Sequence, residues 1–127
     1  MSDAVTEYSI SQVAEITTVS VHTLRYYERA GLMIRRLART EASHRVYGER
    51  DLRWVTFITK LRSTGMGIGQ IRQYAEFARQ GDSTNEARLN LLIEHQQKVI
   101  EHLRETQSSL DAISYKIDEY SRKVVNT

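Results

Sequence analysis

The stretch Ser20-Val21-His22-Thr23-Leu24-Arg25-Tyr26-Tyr27-Glu28-Arg29-Ala30-Gly31-Leu32 decides the fold. At 100° per residue, Val21, Leu24 and Tyr27 fall on one arc of a helix, while His22, Arg25, Tyr26 and Arg29 fall on the other. One arc closes a small core; the other offers donors to phosphates and base edges. Upstream, Ile10-Ser11-Gln12-Val13-Ala14-Glu15-Ile16 carries a second short helical pattern, opened by Ser9 and Gln12 at the spacing of a capping box. Only a few residues separate the two patterns. Two short helices joined by a tight turn make a helix-turn-helix, whose second helix is built to lie against DNA. Gly31 accepts the left-handed conformation that ends such a helix.

Beyond Gly31, two β-capable runs, Leu32 to Ile34 and Arg45 to Tyr47, flank a polar stretch rich in arginine. This reads as a two-stranded wing with a basic loop. A third helix is expected from about Glu49 to Ser63, with Leu52, Val55, Ile58 and Leu61 at helical spacing. Gly65, Gly67 and Gly69 break the chain before a fourth helix, from about Ile68 to Arg79, which Gly81 closes. Ser83 with Glu86 then reads as a second capping box opening the longest helix.

That helix keeps a seven-residue rhythm. One series is Leu89, Gln96, Leu103, Leu110, Ile117 and Val124; the other is Leu92, Val99, Thr106, Ile113 and Tyr120. Nine of these eleven positions are apolar or aromatic, which identifies a coiled coil. So long a stripe cannot be buried on a head of about eighty residues, so a second copy is required and the chain is expected to be a homodimer. Leu89, Leu92, Val99, Leu103, Leu110, Ile113 and Ile117 are its expected dimerisation residues. The fold class expected is mainly α: a winged helix-turn-helix DNA-binding domain over residues 1–82, then a dimerising coiled-coil helix and tail over 83–127.

Composition agrees with that division. The 127 residues suit one domain plus an appendage, and the net charge of +2 hides an asymmetry. Between Ser20 and Arg62 there are ten Lys/Arg against four Asp/Glu, whereas from Glu86 onward there are six against seven. A basic head on a neutral tail suggests a nucleic-acid face and a separate assembly region. There is no cysteine, so disulfides and thiol chemistry are excluded. The four histidines are not placed as a metal set: His95 and His102 are two turns apart, and His22 and His44 belong to the basic head. No metal and no cofactor is expected. With no membrane-length apolar run and no signal-peptide pattern, a soluble cytoplasmic protein is the expectation. The glycines at 65, 67 and 69 lack a P-loop lysine, and neither a nucleophile elbow nor a carboxylate pair is present, so an enzyme is not expected.

The words Thr23-Leu24-Arg25-Tyr26-Tyr27-Glu28 followed by Gly31-Leu32 resemble the signature of the MerR family of transcription regulators. The likeness continues through His44-Arg45-Val46-Tyr47, Asp51-Leu52, Phe57-Ile58 and Leu61-Arg62-Ser63-Thr64-Gly65-Met66, and covers about Tyr8 to Tyr120. Tyr74-Ala75-Glu76-Phe77 and Gln80-Gly81-Asp82 through Glu86-Ala87-Arg88 look most like the aldehyde- and nitrosative-stress-responsive branch. The resemblance implies an antiparallel coiled coil. It also implies action by deformation: the dimer sits on an overlong promoter spacer and untwists it so that RNA polymerase meets both promoter elements. Most such sequences carry a proline soon after the Gly-Leu and a glycine before the wing arginine; here Met33-Ile34 and Ser43-His44 stand instead.

The residues expected to meet DNA are His22, Thr23, Arg25, Tyr26, Arg29, Arg35, Arg39, His44 and Arg45. His22 and Arg25 face bases or phosphates. Thr23 and Tyr26 either donate to phosphate or pack at the helix edge, and Tyr27 is a packing residue first. By resemblance, Arg45 takes the place of the family's phosphate-contacting arginine and His44 that of a tyrosine on the same backbone. Arg35, Arg36 and Arg39 add sequence-independent attraction. If a small-molecule inducer binds, its surroundings are expected around Trp54, Phe57, Tyr74 and Tyr115, aromatics that are read first as core. Lys60 stands where the stress-responsive relatives hold a reactive cysteine, so thiol chemistry is not the signal. Only a neutral lysine adds to an aldehyde, and Lys60 is read first as an exposed cation.

The function expected is therefore a homodimeric regulator that binds a pseudo-palindromic promoter in double-stranded DNA and distorts its spacer. Two other readings compete: a protein-binding adaptor of the same fold, and an architectural DNA binder without inducer. The basic surface argues against a pure adaptor.

Overall fold

The computed structural model describes residues 6–126; the outermost residues of the two expected segments, 1–5 and 127, lie outside the described residues. In chain order the elements are β1 (Glu7–Ser9), α1 (Ile10–Thr17), α2 (Val21–Arg29), β2 (Ala38–Arg39), β3 (Arg45–Gly48), α3 (Glu49–Ser63), α4 (Ile68–Gln80) and, after a 3-10 turn (Asp82–Thr84), α5 (Asn85–Val125). Backbone contacts divide the chain into two units, Met1–Leu91 and Leu92–Thr127.

Local chemistry explains where the head's helices start and stop. Ser9 and Gln12 make the reciprocal capping box at α1: the Ser9 hydroxyl accepts from the Gln12 N–H at 3.2 Å and the Gln12 amide oxygen from the Ser9 N–H at 2.8 Å. Between α1 and α2 the chain turns on Thr18, whose φ of 60° is left-handed without the licence of a glycine. Thr17 braces it, donating its hydroxyl to the Val13 carbonyl and accepting from the Val19 N–H. Gly31 (φ 75°) closes α2 in a Schellman motif, with its N–H on the Glu28 carbonyl and the Leu32 N–H on that of Tyr27. Gly65 (φ 99°) and Met66 close α3 in the same way, on Arg62 and Leu61.

Val13, Leu24, Tyr27, Leu32, Tyr47, Val55, Ile58 and Ile71 are the large fully buried side chains of the head. They come from α1, α2, the loop after it, β3, α3 and α4, so the four helices of the head and the central strand of its sheet share one core. Burying each aliphatic or aromatic side chain stabilises by about 1.5–3 kcal/mol before chain entropy is subtracted.

Three expectations need correction. The first strand of the wing is Ala38–Arg39, not Leu32–Ile34; the successive residues Leu32 and Met33 are both buried, whereas neighbours on an outer strand alternate between core and solvent. The wing is also the outer part of a three-stranded antiparallel sheet of order β1-β3-β2, because Glu7–Ser9 pairs with Val46–Gly48. Finally, Ser83 does not open α5. It lies exposed in the 3-10 turn, where the buried Thr84 donates its hydroxyl to the Phe77 and Gly81 carbonyls and fastens the turn to α4.

The 41 residues of α5 make a helix of about 62 Å. Within Leu92–Thr127 the heptad positions Leu103, Leu110, Ile113, Ile117, Tyr120 and Val124 are between 52% and 72% exposed. A lone chain leaves this stripe in water.

Candidate nucleic-acid interface

Ser20 starts α2 by accepting from the Thr23 N–H at 3.0 Å, and its hydroxyl donates to the Thr23 hydroxyl at 2.9 Å. The cap occupies the Thr23 N–H and fixes the start of the helix, where its positive pole lies. The two arcs then separate as the periodicity expects. Leu24 and Tyr27 are buried, with the Tyr27 hydroxyl 3.1 Å from that of Thr59. His22, Arg25 and Arg29 are exposed on the opposite arc. Tyr26 is half-buried under the Arg62 guanidinium, whose carbon lies 5.6 Å from the ring centroid. Among the described residues, Arg25, Arg29 and Arg36 make no ion pair, so their charge faces solvent uncancelled.

The wing lies beside α2, and its cations are not equally free. Arg39 forks onto Glu28, Nη2 to Oε1 at 2.8 Å and Nη1 to Oε2 at 3.2 Å; Arg45 donates Nε to the same Oε1 at 2.8 Å. Burial alone pushes the Glu28 carboxyl up, but the hydrogen bonds and charges of Arg39 and Arg45 outweigh it and hold the group below its ordinary value. Arg35 pairs with the buried Asp51 at 3.2 Å, and Asp51 also accepts from the Gly48 N–H at 2.9 Å, starting α3. His44 is exposed at the base of the wing loop, where its carbonyl accepts from the Thr40 N–H at 2.9 Å. The glycine missing before the wing arginine is answered by Ser43, which itself takes a left-handed φ of 64°.

Behind the interface, α4 supplies two more arginines that sequence reasoning passed over. Arg72 donates to the Ala30 carbonyl, and Arg79 to the carbonyls of Gly31, Met33 and Ile34, at 2.6–2.9 Å. Cations at the carbonyl end of α2 also oppose its negative pole. Their periodicity on α4 marks them only as a polar face; nothing local signals that the face meets another helix end. Tyr47, on β3, is fully buried, and no described residue hydrogen-bonds its hydroxyl. Burial, and to a lesser extent the Glu28 charge, push its pKa up to about 12.

The residues named for a possible inducer do not all come together. Trp54 stacks on Tyr74 with centroids 5.5 Å apart and planes 2° from parallel, and Phe57 tilts against Tyr74 at 5.9 Å. Tyr74 is buried and Trp54 half-buried, with its N–H on the Leu32 carbonyl, while Phe57 is 36% exposed. Lys60 is exposed and borders a shallow groove of about 360 Å³ with Ile16, Leu52 and Phe57. Tyr115 belongs to the second unit and is 65% exposed. Among the described residues no three side chains converge to hold a metal, and no helix is long and apolar enough to cross a membrane.

Comparison with known proteins places the chain in a family. Residues 8–78 match the model of the MerR HTH family regulatory proteins, and residues 52–115 match that of the MerR DNA-binding region. The chain belongs to the MerR family. It is 32% identical over 115 residues to an uncharacterized HTH-type transcriptional regulator of Haemophilus influenzae, covering 91% of this chain and 84% of the relative. It is 40% identical over 93 residues to the HTH-type transcriptional regulator AdhR of Bacillus subtilis, covering 73% of this chain and 66% of that one. Among solved structures, HiNmlR, a MerR family regulator lacking the sensor domain and bound to promoter DNA, superposes with a TM-score of 0.84. That match has 32% identity and covers 92% of each chain. A MerR-family regulator from Bacillus thuringiensis superposes with a TM-score of 0.81 at 32% identity, covering 90% of this chain and 99% of the other. This MerR chain is accordingly a DNA-binding transcription regulator, not an enzyme.

Proposed function

We propose that the chain works as a homodimer in the cytoplasm, binding a pseudo-palindromic promoter through paired α2 helices and wings and distorting the spacer between promoter elements. Leu89, Leu92, Val99, Leu103, Leu110, Ile113 and Ile117 form the dimerisation seam. His22 meets base edges, with Thr23, Arg25, Tyr26, Arg29, Arg35, Arg39, His44 and Arg45 along the backbone. RNA polymerase is the partner that gains access when the spacer is untwisted. The distortion is offset by the clamp contacts of the basic head.

The exposed heptad stripe of α5 carries this reading. Apolar side chains at that spacing, left more than half exposed, gain about 25 cal/mol per Å² when a second copy covers them. The complex of HiNmlR with promoter DNA supports the same reading by similarity at 32% identity.

Two measurements test it. Sedimentation at micromolar concentration is expected to give a dimer, and the double substitution Leu103→Asp, Leu110→Asp a monomer. On the DNA immediately upstream of the gene, circularly permuted fragments are expected to show a protein-induced bend centred on an inverted repeat. A folded wild-type monomer, or a straight complex, refutes the corresponding half of the proposal.

A further inference from the structure

Arg39 of β2 and Arg45 of β3 are register partners, so two guanidinium groups leave the wing from directly opposed backbone positions. Like charges so placed destabilise a strand pair. The hairpin has little with which to resist, since only Ala38↔Val46 and Arg39↔Arg45 are paired between these strands. What reconciles the two cations comes from outside the wing. Glu28, in the last turn of α2, takes Arg39 in a fork and Arg45 on Nε, and its side chain is only 19% exposed between them. The bonds to Arg45 use its Nε edge and leave the two Nη groups for another acceptor.

We infer that Glu28 is the positioning residue of the interface. It fixes the wing against the recognition helix and leaves the Nη groups of Arg45 to meet a phosphate oxygen. A negative charge inside the DNA-facing surface then strengthens the binding of a polyanion. Simple charge counting requires the reverse, because removing an acid from a basic surface raises its attraction for DNA. This opposition of sign makes the inference testable.

The inference rests on the proposed placement of the wing on phosphate, and three variants keep the two separable. The probe is a mixed-sequence DNA duplex, titrated by fluorescence anisotropy at several salt concentrations. Amide exchange of Thr40, whose N–H holds the wing loop shut on the His44 carbonyl, is followed beside that of Leu24 in α2. Glu28→Gln is expected to weaken binding about five- to tenfold and to speed Thr40 exchange, while Leu24 exchange stays slow. Tighter or unchanged binding by Glu28→Gln overturns the inference. The double variant Glu28→Gln, Arg39→Gln removes the opposed cation, restores the wild-type net charge and guards against a misfolded single variant. It is expected to recover slow Thr40 exchange and to bind more tightly than Glu28→Gln despite carrying one cation fewer; no recovery overturns the positioning role. Arg45→Gln leaves the Glu28–Arg39 fork in place. Binding by Arg45→Gln equal to wild type removes the wing from the phosphate backbone and overturns the inference together with the placement it rests on.

Discussion

The indole Nε1 of Trp54 donates to the backbone carbonyl of Leu32 at 2.7 Å, joining the middle of α3 to the residue that closes the recognition helix. Leu32 is fully buried, so this carbonyl has no water in reserve. Trp54→Phe keeps an aromatic face for Tyr74 but strands the acceptor. The expected cost is about 1–3 kcal/mol in urea unfolding, the price of an unsatisfied buried carbonyl. A loss below about 0.5 kcal/mol shows that the bond contributes nothing the ring stacking does not.

Tyr47 makes the opposite test, since its buried hydroxyl has no protein partner among the described residues. Tyr47→Phe is expected to stabilise the protein by about 1 kcal/mol at neutral pH. The pH dependence has a definite sign. A phenol whose pKa rises from 10.0 to about 12 on folding contributes stability that is fully present below pH 10 and lost as pH climbs through 12. Unfolding of wild type against Tyr47→Phe between those values is expected to diverge by about 2–3 kcal/mol, from 1.36 kcal/mol per unit. Parallel curves place the hydroxyl in water.

Ser43 carries the left-handed turn that the family more often gives to glycine. Ser43→Gly is expected to relieve about 1 kcal/mol locally, the αL cost of a side chain less the added freedom of glycine. The gain is read as slower amide exchange at Thr40, whose N–H closes the wing loop on the His44 carbonyl.

Arg25 and His22 divide the labour of α2 if both lie on DNA. Arg25→Ala is expected to weaken binding to specific and mixed-sequence duplexes together and to make the salt slope shallower by about one. His22→Ala, near the N-terminal end of the helix, is expected to cost about 1–3 kcal/mol on the specific site and much less elsewhere. Equal losses on both duplexes for both variants reduce the helix to a phosphate clamp.

Residue by residue, what the sequence discloses depends on how local the cause is. The arcs of α2, its glycine stop and the run of α3 from Glu49 to Ser63 follow from periodicity and capping, which act within a few residues. β1 escaped because Glu7-Tyr8-Ser9 has no strand pattern of its own; it is extended because Tyr8 pairs with Tyr47 and its hydroxyl donates to Glu49 at 2.6 Å. Ser83 misled because its spacing to Glu86 is correct for a cap, whereas Thr84, one residue on, is held by α4 carbonyls. Glu28 was visible as an acid among cations. That it gathers Arg39 and Arg45 depends on how the wing folds back, and no local pattern encodes that.

Arg88, in the first turns of α5, donates to the Gly81 carbonyl and the Thr84 hydroxyl, just where α4 ends. Just before that end of α4, Arg79 holds three carbonyls of the loop after α2. Two guanidinium clasps in series thus join α5 to the end of α4 and α4 to the loop after α2: Arg79 grips backbone alone, Arg88 one carbonyl and the side chains of Thr84 and Asn85. Backbone carbonyls cannot swing away on a rotamer change, so the loop after α2 is freed only when Arg79 itself lets go of all three.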